Sequence, residues 1–140
     1  MTQVVRATIF VALLITAPFL TGSHNIDVVC AQTIDNSPAQ SLELFFAAVD
    51  KRDYQTARKF IPNTIVKKLE KDLPGGFLAF IDAIAEENAG SRLEITAEKI
   101  EDGKALVEAI TITATGKRIP EKWLLRLEDN LWKLDIVRPH

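Results

Sequence analysis

Trp123-Leu124-Leu125-Arg126-Leu127-Glu128-Asp129-Asn130-Leu131-Trp132-Lys133-Leu134-Asp135-Ile136 is two alternating runs around an Asp-Asn turn. Trp123, Leu125 and Leu127 share one face of the first run, opposite Lys122, Leu124 and Arg126. Trp132, Leu134 and Ile136 repeat the pattern in the second. Strand side chains alternate with a period of two, so this stretch reads as a hairpin with one apolar face. Reading backwards, Ile119 extends the first run. Leu106, Ile110, Ile112 and Ala114 read as the apolar face of the strand before it, after a turn at Thr115-Gly116-Lys117. Leu93, Ile95 and Ala97 read as the face of a still earlier strand, joined through Glu101-Asp102-Gly103-Lys104. Asp-Gly tolerates the positive φ that a tight hairpin requires. The result is a four-stranded antiparallel meander whose apolar face needs a cover.

The region before it supplies that cover. Ser37-Pro38-Ala39-Gln40 is a capping box with proline at the first helical position. Leu42, Phe45, Phe46 and Val49 follow at helical spacing. Asp53 caps a second, short helix carrying Tyr54, Ala57, Phe60 and Ile61 inward, and Pro62 ends it. Ile65, Leu69 and Leu73 predict a third helix stopped by Pro74-Gly75-Gly76. Phe77, Phe80, Ile81 and Ile84 predict a fourth, with Gly90 as a left-handed stop. Helices first and a meander after make an α+β domain over residues 37–137, preceded by a polar linker at 32–36.

Residues 1–31 read differently. Arg6 precedes an apolar run, Ala7 to Leu20, broken by Pro18. The run falls short of the ~20 residues that span a bilayer. Val29-Cys30-Ala31 places small residues where a signal peptidase cuts, so the segment reads as a secretory signal removed after Ala31. An uncleaved anchor is the alternative. Lipidation at Cys30 is disfavoured because Asp27-Val28-Val29 fits that motif poorly. The chain is therefore expected to be exported, to the periplasm or beyond, with no stable membrane anchor. After Ala31 it has no cysteine and one histidine, His140. Disulfides are excluded there, and the apolar core must hold the fold alone.

The whole chain has 140 residues, a formal net charge of -2 and 47% hydrophobic residues. That balance lacks the basic stripe of a nucleic-acid binder. The single late histidine leaves no Ser-His-Asp or Cys-His site and no zinc ligand set, and no phosphate-binding Gly-rich loop follows a strand. No metal and no cofactor is expected. Glu108 lies between Leu106 and Ile110, on the face read as apolar, and is the one catalytic candidate, as a single acid/base. Against that, it sits near a hairpin end and can reach water. Asp53 has a helix to cap.

Three stretches together resemble nuclear transport factor 2-like domains: Ser37 to Val49 followed by Arg52-Asp53-Tyr54-Gln55-Thr56-Ala57, then Gly103-Lys104-Ala105-Leu106-Val107, then Trp123 to Leu134. The similarity is to small exported bacterial members without an assigned role. It implies a curled sheet wrapped by helices, a cystatin-like cone with an apolar cavity, and dimers in many members. The absence of a strand pair between Ile61 and Phe77 implies a shallow cone. Its expected ligand-facing side chains are Tyr54, Ile110, Trp123, Leu125 and Trp132, each of which also serves as an ordinary core residue. The reading favours a non-catalytic binding domain for a small apolar ligand or a protein partner. The alternatives are a small enzyme using one buried carboxylate, and a structural module forming a homodimer through Leu124, Leu131 and Val137 on the sheet's exposed face.

Overall fold

Ser37 starts the first helix. Its hydroxyl accepts from the Gln40 backbone N–H at 3.1 Å, and its own N–H donates to Gln40 Oε1 at 3.1 Å. The capping box is complete and opens α1, Pro38–Asp50. The computed structural model describes residues 36–136. The expected signal segment, Cys30, Val137 and His140 lie outside them. No helix among the described residues is long and apolar enough to cross a membrane.

Asp53 Oδ1 accepts from the Thr56 N–H at 3.1 Å and begins α2, Tyr54–Lys59. α3 spans Asn63–Asp72 and α4 spans Gly76–Glu87. Gly76 was expected in the stop after α3; it is already the first residue of α4. In α3 the buried side chain is Val66, and Leu73 lies exposed beyond the helix end. Gly90, at φ +71°, then redirects the chain into the sheet.

β1 (Arg92–Glu101), β2 (Lys104–Ile112), β3 (Arg118–Glu128) and β4 (Leu131–Leu134) pair antiparallel in the order β1-β2-β3-β4. Two turns have both central residues at positive φ: Asp102 (+49°) with Gly103 (+70°), and Asp129 (+54°) with Asn130 (+61°). This geometry matches the twist of the strands it joins. It also fixes register, pairing Glu101 with Lys104 and Glu128 with Leu131.

Register shows which face each residue takes. β3 follows the expected alternation, with Ile119, Trp123, Leu125 and Leu127 toward the helices. β2 does not. Its buried residues are Ala105, Val107, Ala109 and Thr111, so Leu106, Glu108 and Ile110 point outward. The face read as apolar is the outer one, though Ile112 at its end is also buried. The inward side chains are small because they share their layer with Phe45, Phe77 and Trp132. Large rings and small strand residues fill such a layer together. In β1 a bulge between Ile95 and Ala97 moves Ala97 to the outer face and brings Glu98 inward. There Glu98 Oε2 accepts from the Ala39 N–H at the start of α1, at 2.7 Å. A carboxylate near a helix N-terminus is favourable.

α1 lies across β1, β2 and β4 and also touches α2 and α4. Leu42, Phe45, Val49, Ile61, Phe77, Ile81, Val107, Leu125 and Leu134 form the sealed centre. Each such side chain contributes about 1.5–3 kcal/mol on burial. The Leu134 N–H donates to the Phe60 carbonyl at 2.7 Å and ties the last strand to the end of α2.

Gly90→Ala tests the junction between helices and sheet. A Cβ there would stand 3.1 Å from Ala114 Cβ, on a backbone already at φ +71°. Urea unfolding is expected to show a loss of about 1–2 kcal/mol, the cost of a left-handed L-residue.

Candidate functional site

The apolar stripe of α1 stops at Val49, and beyond it the two layers separate. A cavity of about 270 Å³ opens between the end of α1, the end of α4, the start of β1 and the end of β2. Phe46, Val49, Ala85 and Leu93 form its apolar wall. Glu43, Ala47 and Asp50, on the flank of α1 beside the core stripe, give it one edge. Residues three, four and seven apart share a helix face, which is why these line up. Asn88, Ser91 and Arg92 give the other edge. Their path is set locally: Asn88 Nδ2 donates to the Ile84 carbonyl at 2.9 Å, and the Ser91 N–H donates to the Asn88 carbonyl at 2.9 Å. Thr111 reaches the cavity from β2, opposite Leu93.

A carboxylate stands behind Thr111. The Thr111 hydroxyl donates to Glu121 Oε2 at 2.8 Å. Glu121 lies between Ile119 and Trp123 on the inner face of β3 and is half-buried. Trp123 meets Phe46 edge-on, with ring centroids 5.2 Å apart and planes at 77°. Its buried indole N–H has no hydrogen-bond partner among the described residues. At the outer rim Glu94 takes Arg118 at 2.8 Å and Arg92 at 3.4 Å. Among the described residues no three His, Cys, Asp or Glu side chains converge as a metal site would require.

The residues singled out in the sequence are placed elsewhere. Glu108 faces outward and pairs with Lys122 at 2.9 Å, its side chain 41% exposed. The facing of β2, with Val107 and Ala109 inward, puts it outside. Ile110 is on the same outer face, across from Glu94 and Pro120. Leu125 and Trp132 are sealed core residues, at 1% and 2% exposure. Trp123 comes nearest to the cavity, through Phe46. Tyr54 turns to α4, where its hydroxyl donates to Asp82 Oδ1 at 2.8 Å alongside Arg52 Nε at 3.2 Å. That bond, then burial and the Asp82 charge, raises the phenol above its ordinary value of 10.0. Asp53 keeps its cap, and hydrogen bonding by Thr56 holds its carboxyl below 3.8. The cavity residues Glu43, Asp50, Asn88, Arg92 and Thr111 were not singled out. Glu121 had a signal, since it alternates in step with Ile119 and Trp123.

No family model matches the chain, and no curated protein matches it. Solved structures do. A Campylobacter jejuni protein, provisionally named an NTF2-like transpeptidase, superposes with a TM-score of 0.52 at 15% identity, over 71% of this chain and 97% of that one. The protein Rd1NTF2_05, in a substituted form, superposes at 0.50 with 11% identity, over 69% of this chain and 91% of its own. This chain has the nuclear transport factor 2-like fold. A Cytophaga hutchinsonii NTF2-like protein of unknown function overlays at 0.43 and 13% identity, covering 71% of this chain and 90% of that one. Identities this low carry the fold and leave the chemistry to this chain's own residues. In this NTF2-like domain α3 and α4 occupy the stretch between Ile61 and the sheet, and the described sheet has four strands. The centre of the space between helices and sheet is filled by side chains, and the hollow lies where β2 ends.

Tyr54 is the only tyrosine in the chain, so an ultraviolet titration of phenolate reads it alone. Its midpoint is expected above 10.0, and Asp82→Asn is expected to lower it. The sign for stability follows: a folded-state value above the unfolded one gives a contribution fully present below pH 10. That contribution is lost as pH rises through the folded midpoint.

Proposed function

We propose that this chain is an exported binding domain that holds a small molecule in the cavity at the end of α1. One observation carries the reading: an apolar wall of Phe46, Val49, Ala85 and Leu93 lies beneath a polar edge of Glu43, Asp50, Asn88 and Arg92. A few polar groups over an apolar surface is how small-ligand sites are built. At about 270 Å³ the hollow lies just under the ~300–1,000 Å³ of sites for drug-sized ligands, so it suits a smaller guest. The apolar wall would supply affinity, and the edge would supply selection. Export rests on the sequence of residues 1–31.

The sheet-to-sheet homodimer is the weaker reading. Leu124 is 52% exposed and Leu106 lies opposite it on the outer face. The charges around them are already matched within the chain: Lys122 to Glu108, Arg126 to Asp135 and Arg118 to Glu94. Such exposed pairs suit a solvated face.

An enzyme remains the second reading, and Glu121 replaces Glu108 as its carboxylate. The supporting observation is the 2.8 Å bond from Thr111, which lines the cavity and orients the acid behind it.

Ala47→Trp separates binding from structure, because Ala47 is exposed on α1 and borders the hollow. In native mass spectrometry of protein purified from its own host, a co-purifying small molecule is expected on the wild type and absent from Ala47→Trp, with the circular dichroism of the two alike. Glu121→Gln tests the enzyme. Loss of about a hundredfold or more in turnover of the co-purified compound, with binding intact, would establish acid/base chemistry. On the binding reading there is no turnover to lose.

A further inference from the structure

We infer that the cavity selects a small cationic amphiphile, an amine on a compact apolar body. The inference rests on the binding reading above and adds the sign of the ligand's charge. Glu43 and Asp50 stand on the cavity edge of α1, both exposed, with Phe46 and Ala47 between them in sequence. Neither forms an ion pair among the described residues. Arg92 is the one cation in the lining, and it leans to Glu94 at 3.4 Å, a carboxylate it shares with Arg118. Behind the floor, the Thr111 hydroxyl donates to Glu121, so what it has left to offer a guest is its acceptor lone pairs.

The backbone adds the same sign. α1 and α4 both end at this cavity, contributing Val49 and Asp50 from one and Ala85 from the other. A helix C-terminus carries about half a negative charge. Neither helix has a basic residue in its last turn to offset it. Lys51 and Arg52 follow α1, but neither lines the cavity, and Arg52 is turned to Asp82 at 3.2 Å. Two exposed carboxylates and two helix C-termini outweigh the one arginine and make a rim that attracts cations and repels anions. Phe46, Val49 and Leu93 then meet the apolar body.

Three probes of nearly the same shape test this: phenethylamine, phenethyl alcohol and hydrocinnamate, titrated into the purified protein and followed by amide NMR. The amine is expected to shift Asn88, Ser91 and Leu93 and to bind about fivefold more tightly than the alcohol, the scale of exposed charge pairs. Hydrocinnamate is expected to bind weakest. The preference should vanish in Glu43→Gln/Asp50→Asn, shrink in high salt, and persist in Glu108→Gln on the far side of the sheet. Equal or tighter binding of the alcohol or the acid at those same amides overturns the charge inference and leaves the binding reading standing. Shifts confined to other regions, or none with any probe, overturn the binding reading and this inference together.

Discussion

Helix α1 lying on an inner sheet face of small side chains is the contact on which the rest of the molecule depends. Leu42, Phe45 and Val49 come down on the sheet whose inward residues include Ala105, Val107 and Leu125, and all are sealed from water. The capping box at Ser37 and the Glu98 carboxylate on the Ala39 N–H hold the start of the helix. With no disulfide expected to share the load, the close fit of rings and small residues sets the stability. The same contact determines where the fold is hollow. The stripe on α1 ends at Val49 and the helix at Asp50, while β2 runs on to Thr111 and Ile112. Sheet without helix above it leaves a gap, and the gap is the cavity.

Much of this architecture was legible in the residues. Both positive-φ turns, the two side-chain caps at Ser37 and Asp53, the four helices and the four strands follow from local chemistry acting over a few residues. The facing of β2 was not legible. Leu106, Ile110 and Ile112 are larger and more apolar than Ala105, Ala109 and Thr111, so hydrophobicity pointed to the wrong side. What decides the facing is the size of the rings arriving from elsewhere in the chain, which no strand records in itself. The bulge at Thr96 had the same character: a period-two pattern continues through Ala97 on paper and is broken in space.

The site was less legible than the fold, for a related reason. Its residues come from the flank of one helix, the run-off of another and two strand ends, and none of these forms a motif. Glu43 and Asp50 look like ordinary solvated helix charges until the layer below them is seen to open. Tyr54 had the chemistry of a ligand contact, but Asp82, brought close by the packing of α2 on α4, already takes its hydroxyl. The position of the cavity is a property of where packing fails to close, and that depends on all the elements at once.

The bulge in β1 bears on how the folded chain meets copies of itself. β1 is one border of the described sheet, exposed over most of its length and with no strand on its other side among the described residues. Long, flat borders of this kind template aggregation. Here the strand is kinked at Thr96, carries Lys99 outward and turns the charge of Glu98 inward. Each is a device that spoils the match with an incoming strand. The irregularity that gives α1 its carboxylate also makes this border a poor template for a further strand.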